Sequence, residues 1–132
     1  MSLEFNNAME KDFFSEHGSL FNLSKVGFEK ENLRVVNSGL SQRAHPDSLG
    51  SALCNHFITT DFSEAQLELV TPPFNDKIKG LNFLEDIHHF VSCNIESEIL
   101  WPFSMPTIIN TDKDIPIANY GSSNLGLFKR TY

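Results

Sequence analysis

The segment KVGFEKENLRVV, residues 25–36, carries Glu29 and Glu31 two positions apart. In an extended strand such residues project from one face, with side-chain origins roughly 6.5–7 Å apart, so two carboxylates aim at one volume. Leu33 and Val35 share that face and suggest that it turns inward, where adjacent carboxylates repel unless protons or cations neutralise them. A divalent cation is one solution. Solvated glutamates on an edge strand are another, and the spacing alone does not choose between them. A second acidic set lies in ITTDFSEAQLELVTPP, residues 58–73: Asp61 ends one β-like segment, and Glu64 and Glu68 follow along the next. Glu68 is opposite in face to Leu67 and Leu69, so it can join Glu29 and Glu31 across a sheet. Oxygen-rich carboxylate sites suit Mg²⁺ or Mn²⁺, ions that enzymes use to hold phosphates. Phosphate chemistry is therefore a candidate, and a polar outer face on an amphipathic sheet accounts for the same residues.

Other groups offer less. Gly121–Gly126 spells GSSNLG, but Leu127-Phe128-Lys129 follows where a phosphate loop needs Lys-Ser or Lys-Thr. A helix starting there offers free N–H groups to an anion, and an ordinary turn and cap explains it equally. His88 and His89 lie beside an apolar helical stripe, where packing or surface roles are commoner than ligation. Cys54 and Cys93 have no sequence-adjacent activating partner and no close metal-pair spacing.

These side chains need elements to carry them. The chain has 132 residues, 40% hydrophobic and 11% aromatic, enough for one globular domain burying roughly two thirds of its unfolded surface. With 10 Lys+Arg against 17 Asp+Glu the formal charge is −7, which argues against nucleic acid as a partner. No stretch approaches the ~20 apolar residues of a membrane span, and the opening MSLEFNNAMEKDFF lacks a signal-peptide pattern. A soluble, unexported protein is expected, and two cysteines point to a reducing compartment, the cytoplasm. Residues 8–17 read as a short amphipathic helix stopped by Gly18, and residues 25–36 as a strand entering a hairpin at Asn37, Ser38 and Gly39. His45-Pro46-Asp47 opens a brief helical stretch to Leu53. Residues 58–62 and 65–71 read as strands ended by Pro72-Pro73. From Asn75 to about Leu100, Ile78, Leu81, Leu84, Ile87, Val91, Ile95 and Ile99 recur at steps of three and four, predicting a long helix capped by Asn75. A short strand is expected at residues 117–120, and a helix after Ser122 or Ser123.

The ordered strings GFEKENLRV (27–35), HPDSLGSAL (45–53), ITTDFSEA (58–65), LELVTP (67–72), WPFSMP (101–106) and ANYGSSN (118–124) together resemble the proteobacterial type of glutamate-cysteine ligase. The resemblance implies an α+β fold, part of a glutamine-synthetase-like catalytic architecture with an antiparallel, acidic-faced sheet and packed helices. It also implies ATP-dependent phosphorylation of the glutamate γ-carboxylate, followed by displacement of phosphate by the cysteine amine. On this resemblance Glu29, Glu31, Asp61 and Glu68 are metal ligands for Mg²⁺ or Mn²⁺, and Phe62 and Tyr132 line the cysteine pocket. It assigns no acid or base catalyst to this segment. Implied partners are glutamate, cysteine and ATP, with neither nucleic acid nor membrane. Phe28 and Asn32 depart from the family pattern, which usually has Leu or Ile at the first and a small or hydroxyl residue at the second.

Family members are several times longer, and their remaining part carries further metal ligands, a histidine among them. Residues 1–132 are thus expected to be the N-terminal part of one catalytic domain, with 1–24 a variable helical lead-in, 25–132 the family-like region, and the chain cut at its C-terminus. The isolated chain is then expected to be inactive and marginally folded. A related carboxylate-amine ligase with another amine acceptor, or a short non-catalytic module keeping the fold, remain alternatives.

Overall fold

The computed structural model describes residues 7–120 and residue 128. It has the mixed α+β, antiparallel character expected. The elements are α1 (Asn7–Leu23), β1 (Glu29–Val36), β2 (Gly39–Leu40), β3 (Ile58–Thr60), β4 (Gln66–Val70), α2 (Lys77–Asn94) and β5 (Ile99–Leu100), with 3₁₀ turns at Asp47–Leu49 and Asp112–Asp114. The five strands form one sheet in the order β2-β1-β4-β3, and β5 also pairs with β1.

β1 organises the sheet. Residues Glu29 to Leu33 pair antiparallel with Val70 to Gln66 of β4. Arg34 and Val35 pair with β5, and Val35 and Val36 with β2. The β1–β2 connection is a two-residue turn in which Asn37 and Ser38 both have positive φ, 50° and 66°. That is the turn whose twist matches the flanking strands, and asparagine accepts it readily. β4 alternates as its sequence requires: Leu67 and Leu69 are fully buried, each contributing about 1.5–3 kcal/mol by leaving water. Over them lies α2, whose Ile87 and Val91 join Leu49, Ile58 and Ile95 in one core.

Several boundaries differ from the sequence expectation. α1 runs through Gly18 to Leu23, since an interior glycine costs only about 1 kcal/mol relative to Ala. It closes where the Ser24 hydroxyl donates to the Phe21 carbonyl (2.7 Å). Asp76, rather than Asn75, caps α2, accepting from the N–H groups of Ile78 and Lys79. Ile78 and Leu81 of the predicted stripe are exposed. Gly80 sits where an added Cβ would meet the Phe28 ring at 2.8 Å, so close packing of helix on strand accounts for a residue of poor helix propensity. α2 ends at Asn94, six residues before the expected Leu100. Glu96 turns the chain with φ 54°, and Ile99–Leu100 becomes a strand. Residues 45–53 yield only the 3₁₀ turn at Asp47–Leu49, ended by Gly50 at φ 84°. Residues 117–120 contribute a single bridge from Ile117 to Ser63. The helix expected after Ser122 or Ser123 and the loop Gly121–Gly126 lie outside the described residues.

The pull that ends α2 early is Arg34, a fully buried side chain. Its Nη1 donates to Glu98 Oε2 at 2.5 Å, and its Nη2 reaches the carbonyls of Arg43 (2.8 Å), Ala44 (3.0 Å) and Glu64 (2.7 Å). The Ser41 hydroxyl donates to the other Glu98 oxygen. One cation thus joins β1, the 41–44 segment, the turn after α2 and the β3–β4 corner. No helix among the described residues is long and apolar enough to cross a membrane.

Candidate functional site

Register decides which side chains meet. β1 and β4 pair Glu31 directly with Glu68, and β3 and β4 pair Thr59 with the same Glu68. Arg34 N–H donates to the Ala65 carbonyl at 2.6 Å, so by alternation Glu31 and Glu68 form a non-hydrogen-bonded pair, in which facing side chains approach most closely. Glu29 lies two residues along β1 on the same face. Asp61 N–H donates to the Gln66 carbonyl (3.1 Å), which sets Asp61 opposite Gln66, one row from Glu68. The sheet therefore gathers Glu29, Glu31, Asp61 and Glu68 on one face within three adjacent rows. Gln66 Nε2 donates to Glu31 Oε2 (2.7 Å) and steadies it.

This face does not turn inward, as Leu33 and Val35 had suggested. α2 covers the opposite face, that of Leu67, Leu69 and Arg34, while Glu29, Glu31 and Asp61 are exposed and Glu68 half-buried. Val35 is buried, but it shares a groove with Met105, Thr107 and Ile108 at the far end of β1. Among the described residues no three His, Cys, Asp or Glu side chains converge tightly enough to hold a cation by themselves. The donor set is nevertheless all carboxylate oxygen, the chemistry that Mg²⁺ and Mn²⁺ prefer. Two like charges directly opposite one another are destabilising unless a cation joins them.

Beside the acidic face, Asp61 and Phe62 form the β3–β4 corner, and residues 116–120 cross it as a strap. Phe62 is exposed, and its carbonyl accepts from Ala118 N–H (3.0 Å). The Tyr120 hydroxyl donates to the Asp61 carbonyl (2.6 Å), with the Thr60 carbonyl 3.1 Å away. Burial, with Asp61, Glu64 and Glu68 nearby, raises the Tyr120 pKa, so the phenol stays a donor at neutral pH. Tyr132, expected in the same pocket, lies outside the described residues. Sequence reasoning passed over Tyr120 and His45, which line a cavity of about 420 Å³ with Thr60, Glu64 and Asn119. His89 Nε2 and Cys93 Sγ lie 3.7 Å apart on the exposed side of α2.

His45 Nδ1 lies 2.7 Å from the Thr60 hydroxyl, and its backbone N–H donates to Glu64 Oε2 (2.7 Å). Burial first, and the Arg34 charge second, lower its pKa from the usual 6.5, against a smaller opposing pull from Glu64. His88 is lowered as well, by burial first and then by Lys30 and His89. The unfolded chain consequently binds protons at these sites before the folded one does. Stability is full above the unfolded pKa and declines as pH falls below about 6.5 toward the folded value. Thermal unfolding of the chain should show a flat midpoint from pH 8 to 7 and a fall from pH 6.5 to 5.5. His45→Asn should flatten part of that fall, and an unchanged profile in the variant would contradict this assignment.

The family model for glutamate-cysteine ligase matches residues 11–132. Glutamate–cysteine ligase of Alcanivorax borkumensis is 50% identical over 107 residues, covering 80% of this chain and 20% of that protein. The Aliivibrio fischeri enzyme of the same name is 42% identical over 130 residues, covering 98% of this chain and 25% of that protein. The crystal structure of glutamate–cysteine ligase from Francisella tularensis in complex with AMP superposes with a TM-score of 0.75 at 42% identity, covering 80% of this chain and 22% of that one. A bifunctional glutathione synthetase from Pasteurella multocida gives 0.72 at 31% identity, over 87% of this chain and 16% of that one. The chain spans about a fifth to a quarter of the curated relatives it matches. Sequence match and shared sheet together place this chain in the glutamate-cysteine ligase family, aligned with a limited portion of its members.

Proposed function

We propose that these residues supply one wall of an active site that joins the γ-carboxylate of glutamate to the amine of cysteine at the expense of ATP, the first step of glutathione synthesis. The observation that carries this reading is the direct opposition of Glu31 and Glu68, with Glu29 and Asp61 on the same open face. A solvated sheet face gains nothing from facing carboxylates, whereas a phosphate-transfer site does. Mg²⁺ or Mn²⁺ held by Glu29, Glu31, Asp61 and Glu68 would neutralise the triphosphate and the acceptor carboxylate, which otherwise repel. The AMP bound by the Francisella tularensis relative supports a nucleotide substrate.

In the chemistry, a carboxylate oxygen of glutamate takes the γ-phosphoryl group of ATP and ADP departs. The cysteine amine then attacks the acyl carbon, the C–O bond to phosphate breaks with its electron pair, and the amine loses a proton. This chain's residues position rather than react: Gln66 steadies Glu31, and Phe62, beside Asp61, offers apolar surface to the amine substrate, a role that Tyr132, outside the described residues, would share. The two free, exposed thiols fit the reducing cytoplasm, where we place the protein.

The test is a chimera in which this chain replaces the aligned residues, about 130, of the Aliivibrio fischeri enzyme. Phosphate release requiring ATP, Mg²⁺, glutamate and cysteine, with γ-glutamylcysteine as product, is expected. A chimera that melts cooperatively yet releases no glutamate-dependent phosphate would overturn the reading. Preference for another amine would redirect it to a related carboxylate-amine ligase.

A further inference from the structure

Glu64 belongs to the second acidic set but not to the acidic face. It is 8% exposed, and each of its hydrogen-bonding groups is occupied. Oε2 accepts from His45 N–H (2.7 Å) and Oε1 from Asn119 N–H. Its own N–H donates to the Pro116 carbonyl (2.7 Å), and its carbonyl accepts from Arg34 Nη2 (2.7 Å). A carboxylate buried on these terms is acceptor-only and meets two backbone donors, an arrangement that glutamine cannot reproduce because one of its two terminal atoms is itself a donor. The neighbouring bonds run between the same two segments: Ser63 Oγ to the Pro116 carbonyl (2.9 Å), Ala118 N–H to the Phe62 carbonyl (3.0 Å), and Tyr120 hydroxyl to the Asp61 carbonyl (2.6 Å). Every one of them ends on the corner that presents Asp61 and Phe62.

We propose that Glu64 is a positioning residue of the ligase site. Touching neither metal nor substrate, its carboxylate locks the 116–120 strap onto the β3–β4 corner, and so fixes where Asp61 meets the cation and Phe62 meets the amine substrate. The proposal rests on the functional reading above. Supports of this kind typically change metal affinity 10–100-fold when removed.

The experiment places Glu64→Gln and Tyr120→Phe, singly and together, in the chimera. Two readouts are taken in parallel: steady-state kinetics, and Mn²⁺ binding followed by electron spin resonance without nucleotide or amino acids. Glu64→Gln should weaken Mn²⁺ binding and raise the KM for cysteine, each about tenfold, while the KM values for glutamate and ATP move less than twofold. Tyr120→Phe should shift the same two quantities by a smaller factor, because it loosens the same strap without altering Glu64. The double variant should fall short of the product of the two effects, since both loosen the one strap. Glu64→Asp, which keeps the charge, should recover part of the Mn²⁺ affinity. A uniform fall in kcat with Mn²⁺ affinity and cysteine KM unchanged would reduce Glu64 to general fold support and overturn the proposal. If the unsubstituted chimera binds Mn²⁺ but does not ligate, the functional reading fails while the Mn²⁺ comparison still judges Glu64. If it binds no Mn²⁺, the positioning proposal fails with it.

Discussion

Glu98→Ala should abolish the cooperative thermal transition of this chain. Removing one partner of a buried ion pair costs about 3–5 kcal/mol, because the other charge is left uncompensated. Here the remaining charge is a guanidinium with no exposed surface, and arginine cannot shed its proton to escape. The Ser41 hydroxyl loses its acceptor in the same step. Against a stability of 5–15 kcal/mol for an ordinary domain, and less for a small sheet with exposed apolar surface, such a loss is decisive. Near-ultraviolet circular dichroism from Trp101, which follows the turn that Glu98 anchors, should lose its fine structure. An apolar replacement of both residues should not be neutral, as it often is elsewhere. Arg34 also satisfies the carbonyls of Arg43, Ala44 and Glu64, which no apolar side chain can do. A Glu98→Ala chain with a wild-type melting curve would refute this account.

Glu68→Gln should separate activity from stability in the opposite sense. In the chimera it is expected to lower kcat/KM for ligation about a hundredfold or more, the scale of losing one group that stabilises charge during phosphoryl transfer. In metal-free buffer the melting temperature of the chain should change far less than the activity, because the substitution also removes a like charge directly across from Glu31, a relief of about 0.2–1 kcal/mol. A structural glutamate would show the reverse pattern, with stability falling and turnover following it. Phosphate release measured beside a thermal melt, on the same preparation with and without Mg²⁺, distinguishes the two. Unchanged ligation by Glu68→Gln would remove this residue from the metal set.

The parts of the fold that were legible in the sequence are those fixed by local alternation. Leu67 and Leu69 against Glu68 defined β4 and its two faces, and Asn37-Ser38-Gly39 defined the hairpin. The acidic face followed from these, because register converts spacing into proximity. Which way that face looked was not legible: Leu33 and Val35 are apolar, but what covers Val35 arrives from residues 105–108. The early end of α2 was equally hidden, since the apolar steps continue through Ile95 and Ile99, while the pairing of Glu98 with Arg34, 64 residues away, and of Ile99–Leu100 with β1 involves partners outside the segment. Glu64 illustrates the limit most clearly. A glutamate between Ser63 and Ala65 defaults to solvent, and its burial depends on backbone donors 19 and 55 residues distant.

Charge alternates through β1 as well as hydropathy. Glu29 and Glu31 sit on the open face, while Lys30, half-buried, and Arg34, fully buried, sit on the face under α2. A slip of one residue against β4 would exchange the two sets. It would drive glutamates beneath the helix, expel the cation that pairs with Glu98, and set Lys30 and Arg34 among the carboxylates. Apolar strands resist such slips only through packing, and a misregistered intermediate can persist for some time. In this strand a misregistered pairing is penalised as soon as it forms, so the same sign pattern that builds the acidic face also acts as a proofreading device during folding.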